Sequence, residues 1–121
     1  MPNRSTTDQP PACQVKAELF RVLGHPARVR ILELIAGGER TVGDLQAALG
    51  LDSSGTSQHL GVLRRSGIVE ARRDGTNVYY RIKNPQTSVM LESARKIISA
   101  SIQDSQTLLA QLTDPGAGDR S

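Results

Sequence analysis

At 121 residues the chain is about one domain, and with 37% hydrophobic residues, one Phe, two Tyr and no Trp its core must come from Leu, Ile, Val and Ala. No apolar run approaches the roughly 18 residues that span a bilayer. The N-terminal MPNRSTTDQPPA lacks an apolar signal-peptide core, and the single Cys13 excludes an intrachain disulfide framework, so a cytoplasmic location is expected.

Net charge is +3, yet the stretch from Gly61 to Lys83 holds six basic residues against two acidic ones and so carries +4. Excess positive charge gathered in one stretch favours a polyanionic partner over a generally basic surface. A domain this small buries a modest fraction of its surface, which makes an oligomer an attractive source of extra core.

Residues 1–14 read as a polar, proline-containing, disordered arm. Val15, Leu19, Phe20 and Leu23 then recur at helical spacing and predict a short amphipathic helix ended by Gly24. His25-Pro26 opens a second helix, with Pro26 where a missing N–H is harmless. Its apolar face is Ala27, Ile31, Leu34 and Ile35, and Gly37-Gly38 stop it. In a third short helix Thr41 serves as the cap and Asp44 favours the positive N-terminal end. Leu45, Ala48 and Leu49 face inward there and Gly50 closes it. The turn Leu51-Asp52-Ser53 leads to a fourth helix that runs to Ser66 and stops at Gly67.

Periodicity then changes from helical to alternating. Val69 and Ala71, then Val78, Tyr80 and Ile82, alternate with polar residues around Asp74-Gly75-Thr76-Asn77, a strong hairpin signal. Asn84-Pro85 breaks the second strand. A long helix follows over about residues 86–112, with Leu91, Ala94, Ile98, Ile102, Leu109 and Leu112 along one side, a stripe suited to packing against its twin. Ser101 and Ser105 interrupt that stripe. Residues 113–121 read as a polar, disordered tail. The fold class is mainly α (α+β): a winged helix-turn-helix over residues 15–112, with a β-hairpin wing and a long C-terminal dimerisation helix.

The run SSGTSQHLG, residues 53–61, has two readings. As a catalytic site it would pair Ser57 with His59, but two residues along a helix point roughly 200° apart, and a nucleophile and its base must share a hydrogen bond. The run also fails the G-x-S-x-G elbow, and no paired acid/base constellation exists elsewhere, so an enzyme is not expected. As a reading face it is coherent. Thr56, Leu60 and Leu63 form the inward stripe, while Ser54, Gln58, Gly61 and Arg65 line the opposite side, flanked by Ser57 and His59. Gln can pair with adenine and Arg with guanine or phosphate. Arg72, Arg73, Thr76, Asn77, Tyr79 and Arg81 cluster at the hairpin, where a basic element would hold a neighbouring phosphate backbone or minor groove.

Taken together, LGHPARVRILELI, SSGTSQHLGVLRRSGIV and EARRDGTNVYYRI resemble the ArsR/SmtB family of bacterial winged-helix repressors over about residues 15–112. The resemblance implies a homodimer on an imperfect palindrome in double-stranded DNA, released by an unidentified signal. Its first and last helices would form the dimer interface, through Leu19, Leu91, Ala94, Ile98, Ile102 and Leu109. Ser54, Ser57, Gln58 and His59 match positions that read DNA in such proteins, Thr56 lies among them, and Arg72 to Tyr79 match the wing.

The family's metal-sensing motifs are missing. Thr41-Val42-Gly43-Asp44-Leu45 stands where metalloid sensors carry Cys-Val-Cys-Asp-Leu, and the last helix contains no His. Soft metals need thiolates or imidazoles, so no metal and no cofactor is expected. Cys13 is either a cysteine without a role or a redox sensor, brought beside its twin if the first helices pair. A winged helix used for protein contact, its basic tip meeting an acidic partner, is the alternative within binding modules.

Overall fold

The computed structural model describes residues 10–113. The chain divides into two compact units, Met1–Ser88 and Val89–Ser121, and each is taken by itself.

The first unit begins with helix α1 (Ala12–Leu23). Residues 12–14, expected in a disordered arm, are therefore the first turn of this helix. The Pro11 carbonyl accepts from the amides of Gln14 (2.9 Å) and Val15 (3.2 Å), and nothing in Ala12-Cys13-Gln14 breaks a helix. Apolar periodicity, which starts only at Val15, marks where the helix becomes amphipathic rather than where it starts. The rest of the expected arm and most of the tail, residues 1–9 and 114–121, lie outside the described residues.

Helix α2 (Pro26–Ala36) starts as its sequence dictates. Pro26 occupies the first turn, and Nδ1 of His25 accepts the Ala27 amide at 3.1 Å. A two-residue strand, β1 (Arg40–Thr41), which the sequence did not suggest, precedes helix α3 (Val42–Leu49). Thr41 and Asp44 form a reciprocal capping box on α3: the Thr41 hydroxyl accepts the Asp44 amide at 3.2 Å, and the Asp44 carboxylate accepts the Thr41 amide at 3.3 Å. Gly50 closes α3 at φ 68°, a left-handed backbone that favours glycine.

Helix α4 (Ser53–Arg65) takes its cap from Asp52, whose carboxylate accepts the Gly55 amide at 2.7 Å. A Cβ on Gly55 would stand 2.9 Å from that carboxylate oxygen, so a larger residue there would require the Asp52 side chain to shift. Strands β2 (Val69–Asp74) and β3 (Asn77–Ile82) follow, joined by Gly75 at φ 64° and Thr76, with Asp74 opposite Asn77 and Val69 opposite Ile82. The sheet order is β1-β3-β2, all antiparallel.

The core joins Val22 and Leu23 of α1, Ile31, Leu32 and Ile35 of α2, Leu45 of α3, Leu60 and Leu63 of α4, and Ile68 and Val69 at the start of the wing. Fully burying a side chain of this size is worth about 1.5–3 kcal/mol. The inward set differs from the expected one at several positions: Val22 and Leu32 are buried, whereas Ala48 is exposed, as are Val15 and Phe20 of α1. Leu32 follows Ile31 directly, so the buried stripe of α2 is wider than a single row.

The second unit is helix α5 (Gln86–Thr113) from Val89 onward. The helix runs one residue past the expected end at 112. No residue of it is buried: Met90 and Leu91 are half-buried, and every other residue from Val89 to Thr113 is exposed. The interruption at Ser101 and Ser105 is satisfied within the helix, since the Ser105 hydroxyl donates to the Ser101 carbonyl at 3.0 Å.

Candidate nucleic-acid interface

Helix α4 presents two unlike faces because its apolar residues fall on one stripe. Leu60, Leu63 and Thr56 are out of solvent, while Ser53, Ser54, Ser57, Gln58, Arg64 and Arg65 are exposed and Gly61 is half-buried. Thr56 is a correction to the expected contact residues. Its hydroxyl donates to the Asp52 carbonyl at 2.9 Å in a fully buried position, so it is a core residue with nothing to offer DNA. Among the described residues no other α4 side chain makes a hydrogen bond, which leaves Ser54, Ser57 and Gln58 uncommitted. A Cβ on Gly61 would lie 3.0 Å from Nη1 of Arg65, so the guanidinium folds back along the outward face over the glycine.

His59 is half-buried rather than simply flanking that face. Its ring stands 4.3 Å from the His25 ring at an interplanar angle of 48°. Burial first, then the charges of His25 and Arg28, push its pKa below the ordinary histidine range. The imidazole thus sits against the start of α2, and what it presents outward is limited to the edge that remains in solvent.

The wing is the β2–β3 ribbon. Arg72, Arg73, Thr76 and Asn77 are exposed on it, and Tyr79 is half-buried. Arg72 and Tyr79 are cross-strand partners, with the guanidinium carbon 4.8 Å from the ring centroid. Arg81 is paired with Glu70 at 2.7 Å. Among the described residues no carboxylate pairs with Arg64, Arg65 or Arg73. One residue that sequence reasoning missed also touches the wing: Glu39, whose carboxylate accepts from Nε of Arg72 at 3.0 Å. Only the two-residue strand β1 brings it there, by pairing with β3, and so short a strand leaves no periodicity to read.

The remaining candidates separate by unit. Leu19 is half-buried on α1, where Val15 and Phe20 are exposed, and Cys13 is exposed in the first turn of the same helix. On α5, Ala94, Ile98, Ile102 and Leu109 are exposed and Leu91 is half-buried; Ile97 and Leu108, absent from the expected stripe, are exposed beside it. Thr41 spends its hydroxyl on the α3 cap, and among the described residues no three His, Cys, Asp or Glu side chains are grouped to hold a metal ion. No described helix is long and apolar enough to cross a membrane.

Comparison with known proteins places this geometry. Residues 25–71 match the model of the arsR family of bacterial regulatory proteins. The HTH-type transcriptional regulator Rv0081 of Mycobacterium tuberculosis is 45% identical over 108 residues, covering 88% of this chain and 95% of that protein. Its crystal structure superposes with a TM-score of 0.75 at 47% identity, over 80% of this chain and 98% of that one. A biofilm growth-associated repressor of Agrobacterium fabrum is 38% identical, covering 69% of this chain and 72% of its own. The homodimeric winged helix-turn-helix DNA-binding domain Mb0332 of Mycobacterium bovis, solved by NMR, has a TM-score of 0.68 at 29% identity, over 82% of this chain and 88% of that one. With the helix-turn-helix, the wing and these relatives in agreement, the chain belongs to the arsR family of bacterial regulatory proteins and is a winged helix-turn-helix transcriptional regulator.

Proposed function

We propose that the chain is a homodimeric cytoplasmic repressor that binds a palindromic operator and leaves it in response to a signal. In this reading α4 enters the major groove. Ser54, Ser57 and Gln58 face base edges and nearby phosphates, and Arg65 reaches a base or the backbone at the far end of the same face. Two-fold symmetry would set the paired recognition helices about 34–36 Å apart, one helical turn of DNA. The wing lies on the flanking backbone and supplies salt-dependent affinity that is largely blind to sequence.

The observation that carries the reading is the uncommitted outward face of α4, polar, free of side-chain hydrogen bonds among the described residues and backed by the buried Thr56, Leu60 and Leu63. Dimerisation is supported by the exposed apolar residues of α5, Ile98, Ile102, Leu109 and Leu112, and separately by exposed Val15 and Phe20 on α1. Repression and dimerisation are also supported by the Agrobacterium repressor and the homodimeric mycobacterial domain.

A gel shift against the DNA upstream of the chain's own gene, with a scrambled duplex as control and salt varied, tests the reading. The expected result is a discrete complex on the upstream DNA that survives competitor and weakens steeply with salt. Equal binding to both duplexes, or none to either, overturns it.

A further inference from the structure

The wing carries two adjacent arginines, and their surroundings are not alike. Nε of Arg72 donates to Glu39 at 3.0 Å, its Nη1 lies 3.8 Å from an Asp74 carboxylate oxygen, and its guanidinium lies over the Tyr79 ring. The arrangement crosses the sheet: Thr41 of β1 faces Tyr79 of β3, and Tyr79 faces Arg72 of β2. Glu39, next to β1, closes the row. Arg73, one residue on, points to the opposite side of the ribbon, is exposed, and has no carboxylate partner among the described residues.

Such an exposed pair adds little to folding stability. Its consequence for a polyanion is larger. Arg72 with Glu39 and Asp74 sums to one negative charge, so this cluster as a whole does not attract phosphate. For Arg72 to meet a phosphate it must first leave Glu39, and the carboxylate left behind would repel the same backbone. Arg73 faces neither cost.

We infer that Glu39 is a positioning residue that holds Arg72 as a strut between the wing and β1, leaving Arg73 as the wing cation that meets the DNA backbone. The inference rests on the DNA-binding reading and divides its wing into two roles. By cancelling one arginine, Glu39 trims attraction to any DNA and raises the share of discrimination left to α4.

Binding of the full chain to the upstream duplex and to a scrambled duplex, followed by fluorescence anisotropy across a salt series, tests it. Each phosphate contact contributes about 0.9 to the slope of log K against log salt. Arg73→Gln should flatten the slope on the scrambled duplex by about that amount per wing, and Arg72→Gln by less than half of it. Glu39→Gln should steepen the slope and tighten scrambled DNA several-fold, because it frees a cation and removes an anion. A merely structural pair would not steepen it. Equal flattening by the two arginine variants, or an unchanged slope in Glu39→Gln, overturns the inference. Equal affinity of wild type for the two duplexes counts against the operator reading alone, since the scrambled-duplex slopes still decide between the arginines. Absence of binding to either duplex overturns both.

Discussion

Residues 10–88 and 89–113 use apolar side chains in opposite ways. In the first unit Ile31, Leu32, Leu45, Leu60 and Leu63 are essentially out of solvent, gathered from three helices around the base of the wing. In the second, a helix of comparable apolar content buries nothing, and Ile98 and Ile102 remain 59% and 53% exposed. Helices in proteins owe most of their stability to packing of the apolar face. The first unit meets that need from within its own chain. The second carries an exposed apolar stripe, the surface that the proposed dimer would cover.

The largest expected effect probes the self-sufficient side of this contrast. Leu32→Ala or Leu60→Ala should cost about 2–5 kcal/mol in urea unfolding, the transfer term plus the cavity left behind. That loss should be independent of protein concentration if it belongs to the 10–88 core. On the other side, Ile98→Glu combined with Ile102→Glu should abolish the dimer in sedimentation while residues 10–88 keep their fold. Operator affinity should then fall on the order of 10²-fold, because two linked half-site contacts become two separate ones. A charged pair of substitutions that unfolds residues 10–88, or leaves the dimer intact, breaks the comparison.

What the sequence disclosed follows the range of the signal. The caps were legible because they are written within four residues: His25-Pro26 for α2, Thr41 with Asp44 for α3. The hairpin was legible from Asp74-Gly75 and alternation, and the two faces of α4 from helical phase. What escaped depends on distant chain. Strand β1 is two residues long, and the Glu39–Arg72 pair spans 33 positions, so neither leaves a local period. Thr56 shows a different obstacle. Helical phase puts it inward while its neighbours Ser54, Ser57 and Gln58 put it in the midst of the candidate contacts, and the buried hydroxyl satisfied by the Asp52 carbonyl decides for the core. Helical phase and the motif both set His59 beside the reading face, and neither shows that its ring packs on His25, the cap of another helix. On α5, Ile97 and Leu108 widen the exposed stripe beyond the single row that a wheel selects.

A third measurement asks whether the outward face of α4 works independently of both hydrophobic regions. Gln58→Ala should cost about 1–3 kcal/mol of discrimination between operator and scrambled DNA if Gln58 reads a base. Unfolding and dimerisation should not change, since Gln58 is exposed and makes no internal hydrogen bond among the described residues. Equal losses on both duplexes would assign it to the phosphate backbone instead.

The smallest expected effect concerns pH, and it should arise wholly within residues 10–88. His59 packs its ring against His25, and Arg28, held by donating Nε to the Val22 carbonyl at 2.6 Å, adds positive charge nearby. Burial and these two neighbours disfavour the imidazolium, so the folded chain holds the His59 proton less tightly than the ordinary value of 6.5. The unfolded chain therefore binds more protons at that site as pH falls, and stability must fall with it. The loss begins as pH drops through about 6.5 and is complete below the folded pKa; above that range the site contributes no slope. His59→Gln, which keeps a polar side chain and removes the titration, should flatten the Tm–pH profile in this window. His25→Asn should flatten it in part, since Asn can still cap α2 while the neighbouring imidazole is removed. The proposed dimer, whose apolar stripe on α5 contains no histidine, should be unaffected by either variant over the same range. A wild-type profile no steeper than that of His59→Gln would mean that the contact between α2 and α4 tolerates the proton, leaving α4 anchored by the buried Thr56, Leu60 and Leu63.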